Sequence, residues 1–345
     1  MKVAHLVPAM EQGGVETVVC EINRALVKAG CESLVVSAGG ALAGRIKGDG
    51  GRHVELDLKS KNPFSYFRRA RALRELLRAE KPDLVCAHSR VPAWLFVQAN
   101  RRLGIRWITH AHGANSVSRY SAVMTKGDLT VTPSRFLAGF LMANYRIPES
   151  RIRVVPNAVD AGRFDPARVD AAFVAEKRRE WGVEPGDHVT MAIGRISPVK
   201  GFDELIKSFA DGAAADPHRK LVIVGGADRG RERCLARLKN LAAALAPGKV
   251  VFAGHQTRIP ECIAVADEVV SANTVKPESF GLSIIEAYAM NKPVRAKRFG
   301  GAAEVMDAVA ASGAPSYREA VLRLYGAGQF AERILAVYRE AVNMV

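Results

Sequence analysis

With 345 residues, the chain is too long for one ordinary core and about right for two domains of average size. Hydrophobic residues at 48% and charged residues at 25% exclude a disordered chain, and no apolar run approaches the ~20 residues that a membrane-spanning helix needs. The net charge of +15 is uneven: residues 1–170 carry 26 Lys and Arg against 15 Asp and Glu, whereas residues 171–345 carry 24 against 20. The first half is therefore expected to meet the more anionic partner.

The opening, MKVAHLVPAMEQGG, lacks the long apolar core of a secretory signal, because His5, Pro8 and Glu11 interrupt it. Cys20, Cys31, Cys86, Cys234 and Cys262 form no CxxC pair, which gives neither a disulfide framework nor a zinc site and suits a reducing compartment. The expected location is cytoplasmic, with peripheral attachment to the cytoplasmic membrane face.

Short apolar runs alternate with longer amphipathic stretches. Lys2–Val7 reads as a strand, Gly14–Ala29 as a helix, Ser33–Ser37 as a strand and Tyr66–Ala79 as a helix. Leu84–Ala87, Trp107–His110, Leu129–Thr132 and Ile152–Val155 follow as strands, with helices at Trp94–Leu103 and Phe136–Asn144. The pattern then restarts: strand Val189–Ile193, helix Phe202–Asp211, strand Lys220–Val224 and helix Arg231–Ala244. Strand Val250–Ala253, helix Ile259–Val265, strand Val269–Ala272 and helix Gly281–Met290 continue it. Two such series meeting near residues 158–187 imply two doubly wound α/β domains, 1–165 and 166–330. A last helical pattern at Ala331–Val342, within a terminal segment 331–345, can pack on either domain; the domain reading has it returning to the first. Ligands of such folds sit beyond the carboxyl ends of the strands, so a cleft between the domains is the expected site.

Three segments carry chemistry. In Glu11-Gln12-Gly13-Gly14-Val15-Glu16, two glycines between strand and helix let backbone approach an anion at a helix start, but the GxGxxG dinucleotide fingerprint is absent. In Gly194-Arg195-Ile196-Ser197-Pro198-Val199-Lys200-Gly201, two cations five positions apart bracket a loop that opens a helix, and such a loop can aim both at one diphosphate. In Pro277-Glu278-Ser279-Phe280-Gly281-Leu282-Ser283-Ile284-Ile285-Glu286, a carboxylate precedes a helix start and a second lies inside the helix. The amides near Phe280–Leu282 are free to meet an anion. The carboxylates, on the order of 10 Å apart along the helix direction, suit hydroxyl-rich groups at either end of one ligand.

These segments resemble the retaining glycosyltransferases of family 4, whose fold is GT-B: two Rossmann-like doubly wound domains facing a central cleft. The resemblance rests on Gly13-Gly14-Val15-Glu16, Gly194-Arg195…Lys200-Gly201 and Glu278…Glu286. It extends to Val154-Val155-Pro156-Asn157-Ala158-Val159-Asp160 and Gly300-Gly301-Ala302-Ala303-Glu304, in order across residues 1–305. It implies that Arg195 and Lys200 hold a donor diphosphate, Glu286 accepts ribose hydroxyls and Glu278 meets the donor sugar. The backbone of Phe280, Gly281 and Leu282 would meet the phosphates, while Gly13 and Gly14 let the first domain close over them. His112 is the implied site histidine, from Thr109-His110-Ala111-His112-Gly113, with His110 in reserve. Ala158 replaces a glycine common in relatives, and Arg295, Lys297 and Arg298 make the run before Gly300 unusually basic.

The resemblance implies transfer of a hexose-type sugar from a nucleotide sugar (UDP-sugar favoured, GDP- or ADP-sugar as alternatives) with retention of configuration. The resemblance also implies that no metal and no separate cofactor are needed, and the sequence, which holds no Asp-x-Asp pair for a divalent ion, fits that expectation. Arg71, Arg74 and Arg78 share one helix face, with Arg68, Arg69, Lys59, Lys61, Arg101, Arg102 and Arg106 adding charge. The expected acceptor is an anionic or lipid-linked glycan such as lipopolysaccharide core, reached at the inner-membrane surface through the basic N-terminal domain. Aromatic residues at 7% do not interleave with these cations, so no nucleic acid is expected as a partner. A sugar-nucleotide epimerase of the same shape is the alternative; a basic nucleic-acid-binding protein is the remoter one.

Overall fold

The computed structural model describes every residue except 228, 229, 274, 275 and 345. It separates into two compact units, one of Met1–Ala158 with the chain from Ala327 onward, the other of Val159–Gly326.

The first unit runs β1 (Lys2–Leu6), α1 (Gly14–Lys28), β2 (Glu32–Ser37), α2 (Ala43–Gly48), β3 (Arg52–Glu55), α3 (Tyr66–Glu80), β4 (Leu84–Ala87), α4 (Arg90–Asn100), β5 (Trp107–His110), β6 (Leu129–Thr132), α5 (Arg135–Tyr145) and β7 (Ile152–Val154). Its sheet has the order β3-β2-β1-β4-β5-β6-β7, with parallel pairs throughout. Alternate side chains of β2 show why its run is apolar on both faces: Leu34 and Val36 pack with Leu73, Leu77 and Phe96 of α3 and α4, whereas Val35 packs with Val19 and Ile46 of α1 and α2.

The second unit runs α6 (Ala171–Glu180), β8 (His188–Ile193), α7 (Phe202–Ala215), β9 (Arg219–Val224), α8 (Glu232–Leu245), β10 (Val250–Gly254), α9 (Ile259–Val265), β11 (Glu268–Ser271), α10 (Leu282–Ala289), β12 (Val294–Ala296), α11 (Gly301–Ala310) and α12 (Tyr317–Tyr325). Its parallel sheet has the order β10-β9-β8-β11-β12. Leu221 and Ile223 of β9 face α7 and α8, and Val222 and Val224 face the opposite layer with Cys262 and Trp181.

The chain leaves the first unit at Ala158, earlier than residue 165. Val159 N–H already donates to the Tyr325 carbonyl at 2.9 Å, and Phe164 is buried in the second unit's core. The closing helix α13 (Ala327–Asn343) belongs to the first unit, where Tyr338 is fully buried and Arg153 pairs with Glu340. In each sheet the strand order reverses at one place, between β1 and β4 and between β8 and β11, and crevices at such points hold ligands.

Candidate active site

In the second unit, the loops after β8 and β9 lie backbone to backbone. Gly194 N–H donates to the Val224 carbonyl at 2.9 Å, and Ile196 N–H to the Gly226 carbonyl at 2.9 Å. Gly225 has φ +146, and a Cβ there would stand 2.0 Å from the Gly194 carbonyl oxygen, so only glycine permits the approach. The chain then passes exposed Arg195, buried Ser197 and a short 3-10 turn at Pro198–Lys200. Gly201, in the left-handed region at φ 72, turns it into α7.

This turn aims Lys200 across the switch point. Its Nζ donates to Oε2 of Glu278 at 3.1 Å, joining residues 78 positions apart in sequence. Glu278 is held through its backbone: its carbonyl accepts from Gly301 N–H at 2.8 Å, in a bridge with Gly300. A Cβ on Gly301 would lie 2.2 Å from the Ser279 carbonyl oxygen. The Gly300-Gly301 pair thus serves the Glu278 segment by close approach.

Past Glu278, Ser279 and Phe280 are buried, with Phe280 edge-on to Tyr325 at 5.5 Å between ring centroids. The Phe280 side chain is therefore core, and only its backbone is available to a ligand. Gly281, at φ 99, starts α10, and its carbonyl accepts from the amides of Ile284 (3.0 Å) and Ile285 (3.3 Å). The earlier amides, at Leu282 and Ser283, belong to the first turn that has no intrahelical partner. Glu286 lies one turn on and is half-buried; burial pushes its carboxyl up to about 7, opposed by the charge of Arg163.

The basic run before Gly300 is mostly tied down. Arg295 forks onto Glu268 at 2.7 and 2.6 Å, where Glu268 also accepts from the Thr190 hydroxyl at 2.7 Å, and Arg298 pairs with Asp307. Arg295 thereby clips β12 to β11.

In the first unit, Gly13 is the residue before α1 and has extended backbone (φ −175), so its conformation does not demand glycine. A Cβ there would stand 2.5 Å from Oε2 of Glu16, because that carboxylate folds back over the helix start. Gly14 opens α1. The β1–α1 loop is braced by the next one: Met10 N–H donates to the Gly39 carbonyl and Leu42 N–H to the Met10 carbonyl, both at 2.7 Å.

His112 has His110 beside it, as the sequence suggested, together with His5, Cys86 and His88, which sequence reading missed. His5 of β1, Cys86 and His88 at the end of β4, and His110 of β5 stand on three neighbouring strands and converge beside it. His5 Nδ1 lies 3.1 Å from His88 Nε2, and His88 Nδ1 lies 3.0 Å from His112 Nε2. The His110 ring stacks on His112 at 4.4 Å, is fully buried, and has no hydrogen-bond partner at either nitrogen among the described residues. His112 retains surface exposure, which makes it the accessible ring of the two. Burial lowers the His5 and His112 rings to about 3 and puts His88 and His110 well below the usual value, so all four are neutral at pH 7. The signal available in the sequence was a histidine at or near the end of three apolar strands.

The fold has close relatives among solved structures. A glycosyltransferase from Rickettsia africae superposes with a TM-score of 0.83 at 25% identity, covering 100% of this chain and 99% of that one. Anabaena HepE, solved in complex with UDP and glucose, gives 0.82 at 18% identity, covering 98% and 99%. By sequence, the D-inositol 3-phosphate glycosyltransferase of Segniliparus rotundus is 33% identical over 184 residues, 52% of this chain and 39% of that protein. The lipopolysaccharide 1,2-N-acetylglucosaminetransferase of Salmonella typhimurium is 26% identical over 255 residues, 72% of this chain and 63% of that protein. The chain thus spans roughly two fifths to two thirds of the length of these curated relatives. The description "Glycosyltransferase Family 4" matches residues 12–163 and "Glycosyl transferases group 1" matches 173–314, one on each unit. The two parallel-sheet units are the Rossmann-like domains of the GT-B fold, and the chain belongs to the glycosyltransferases of family 4, group 1.

Proposed function

We propose that the protein transfers a hexose from a UDP-sugar, with retention of configuration, to an anionic or lipid-linked glycan. The observation that carries this reading is the meeting of Lys200 and Glu278 beside the start of α10. The Lys200 ammonium and the amides of Leu282 and Ser283 would face the diphosphate, whose leaving oxygen gains charge as the glycosidic bond breaks. Arg195, exposed on the same loop, adds a second cation, Glu278 accepts from sugar hydroxyls, and Glu286 accepts from the ribose. The solved complex of HepE with UDP and glucose supports a UDP donor for this fold. A thermal-shift panel of UDP-, GDP- and ADP-sugars tests the reading: stabilisation by UDP-sugars is expected, and a folded protein stabilised by none of them would sink it.

Glu286 gives the donor site a pH signature. Its carboxyl titrates at about 7, and only the ionised form accepts from both ribose hydroxyls. Affinity for UDP-glucose is therefore full above that value and falls about tenfold per pH unit below it. Because this acid is raised above its unfolded value, the sign for folding is opposite: the protonated form favours the fold, and stability declines as pH rises from about 4.5 through about 7. Calorimetric titration from pH 8 to 6 checks the binding slope, and Glu286→Gln should flatten it. An equal slope in that variant would remove Glu286 from the ribose site.

The acceptor reading draws on α3. Phe64 and Phe67 are 95% and 70% exposed, and Phe67 shares its stripe with Arg71, Arg74 and Arg78. Arg69 and Arg106 leave the expected cationic face: Arg69 is buried against the Ser60 and Asn62 carbonyls, and Arg106 donates to the Met344 carbonyl. Contrary to the expectation that aromatic rings stay apart from these cations, two exposed rings stand among the arginines of α3, and together they suit insertion at an anionic membrane surface. The Salmonella relative, a lipopolysaccharide transferase by name, supports an envelope acceptor. Phe64→Ser with Phe67→Ser should weaken binding to phosphatidylglycerol vesicles at least about tenfold while UDP-glucose affinity stays unchanged. Unaltered vesicle binding would discard this face as the contact.

A further inference from the structure

The histidine cluster in the first unit has an order that its hydrogen bonds dictate. His88 contacts another ring through both nitrogens, His5 through Nε2 and His112 through Nδ1. A neutral imidazole has one N–H, so each N···N contact needs one ring to donate, and His88 must donate on one side and accept on the other. Only two arrangements satisfy both contacts. In the first, His5 Nδ1–H donates to His88, His88 Nδ1–H donates to His112 Nε2, and His112 carries its proton on Nδ1. In the second every bond reverses, and His5 must carry its proton on Nε2.

The buried end decides between them. Among the described residues His5 Nε2 has no hydrogen-bond partner, and His5 is wholly buried. A bare ring nitrogen there costs less than an orphaned N–H, the rarer of the two among buried groups, and His5, unlike His110, has an arrangement that avoids it. The first arrangement is therefore favoured. His110, stacked on His112 at 4.4 Å and 23°, holds the ring plane while the chain holds the proton.

We infer that His88 is a positioning residue which, ordered by His5, fixes His112 as its Nδ1–H tautomer, so that His112 presents a neutral N–H donor at the surface of the first unit. A sugar hydroxyl oxygen is the chemistry this donor suits; that identity rests on the proposed glycosyl transfer, whereas the tautomer does not. The ring chain acts without a carboxylate, the more usual orienter of a working histidine.

Two-bond 15N–1H correlation spectra of histidine-labelled protein read the tautomer directly, with His112→Gln used for assignment. The wild-type protein should show His112 protonated on Nδ1 and bare on Nε2. His88→Phe should move the proton to Nε2, the form free imidazole prefers, and lower kcat at least about tenfold with donor KM little changed. His88→Asn, whose side-chain amide offers an N–H where Nδ1 stood, should restore most of kcat. A wild-type His112 protonated on Nε2 overturns the inference, as does a tautomer unmoved by His88→Phe. Stoichiometric Zn2+ retained after dialysis would overturn it too, since His88, His110 and His112 are close enough to share one ion, which would occupy the nitrogens the chain uses. Should His88→Phe fail to fold, the wild-type spectrum alone still decides. The spectra need no turnover, so a wrong donor would leave this test standing.

Discussion

Replacing Lys200 with alanine is expected to lower kcat by about 10²–10³-fold and weaken UDP binding in parallel, with little change in folding stability. Lys200 and Glu278 are each about a quarter to a third exposed, so their ion pair at 3.1 Å contributes no more than about 1 kcal/mol to the fold. The ligand makes the difference. A diphosphate arriving beside Glu278 meets an ammonium that offsets the carboxylate; without Lys200 it meets the carboxylate alone. The loss is thus larger than one removed hydrogen bond, and removing Glu278 as well should recover part of the UDP affinity while leaving turnover low. Calorimetric titration of UDP against the single and double variants measures that coupling. UDP affinity unchanged in Lys200→Ala would remove this residue from the diphosphate site.

Gly225→Ala should cost about 3 kcal/mol or more and lower Tm by roughly 10 °C. Alanine avoids φ +146, and its Cβ would stand 2.0 Å from a backbone oxygen that cannot rotate away. Relief requires the two loops to part, which moves the Gly194–Gly201 turn and with it Lys200. UDP affinity should therefore fall along with stability, although Gly225 touches no ligand in this account. Gly226→Ala is the built-in control: its Cβ would lie 3.7 Å from the His255 Cβ, an ordinary contact, and stability should change by less than about 1 kcal/mol. Thermal unfolding of the pair checks both, and equal melting temperatures would mean that the β8 and β9 loops are not locked together.

Most of the strand and helix series was legible because buried parallel strands are continuously apolar and the covering helices keep their period. The helices α2, α6, α11 and α12 were not read, nor were two strands. β3 reads Arg-His-Val-Glu and β12 reads Val-Arg-Ala; both are short edge strands whose polar residues hide the pattern. The glycine and charge motifs at Gly194–Gly201, Glu278 and Gly300-Gly301 could be read at fixed offsets from strands. Their convergence could not, since Lys200 meets Glu278 only because β8 and β11 are neighbours, a fact of sheet order that local pattern does not carry. The histidine chain was hidden for the same reason, being assembled from β1, β4 and β5. Charge was read most poorly: Arg69 and Arg295 count as cations in the sequence, yet one is buried on carbonyls and the other is spent on Glu268. Gly225 gave no signal at all, as its φ and its contact with Gly194 exist only in the fold.

The central claim is that the turn after β8 and the segment leading into α10 form one donor site. Hydrogen–deuterium exchange with and without UDP-glucose tests it most directly. The sugar nucleotide should slow exchange in residues 194–201 and 278–286 together, and Lys200→Ala should abolish the effect in both segments. Protection confined to other parts of the second unit, or in only one of these two segments, would contradict it.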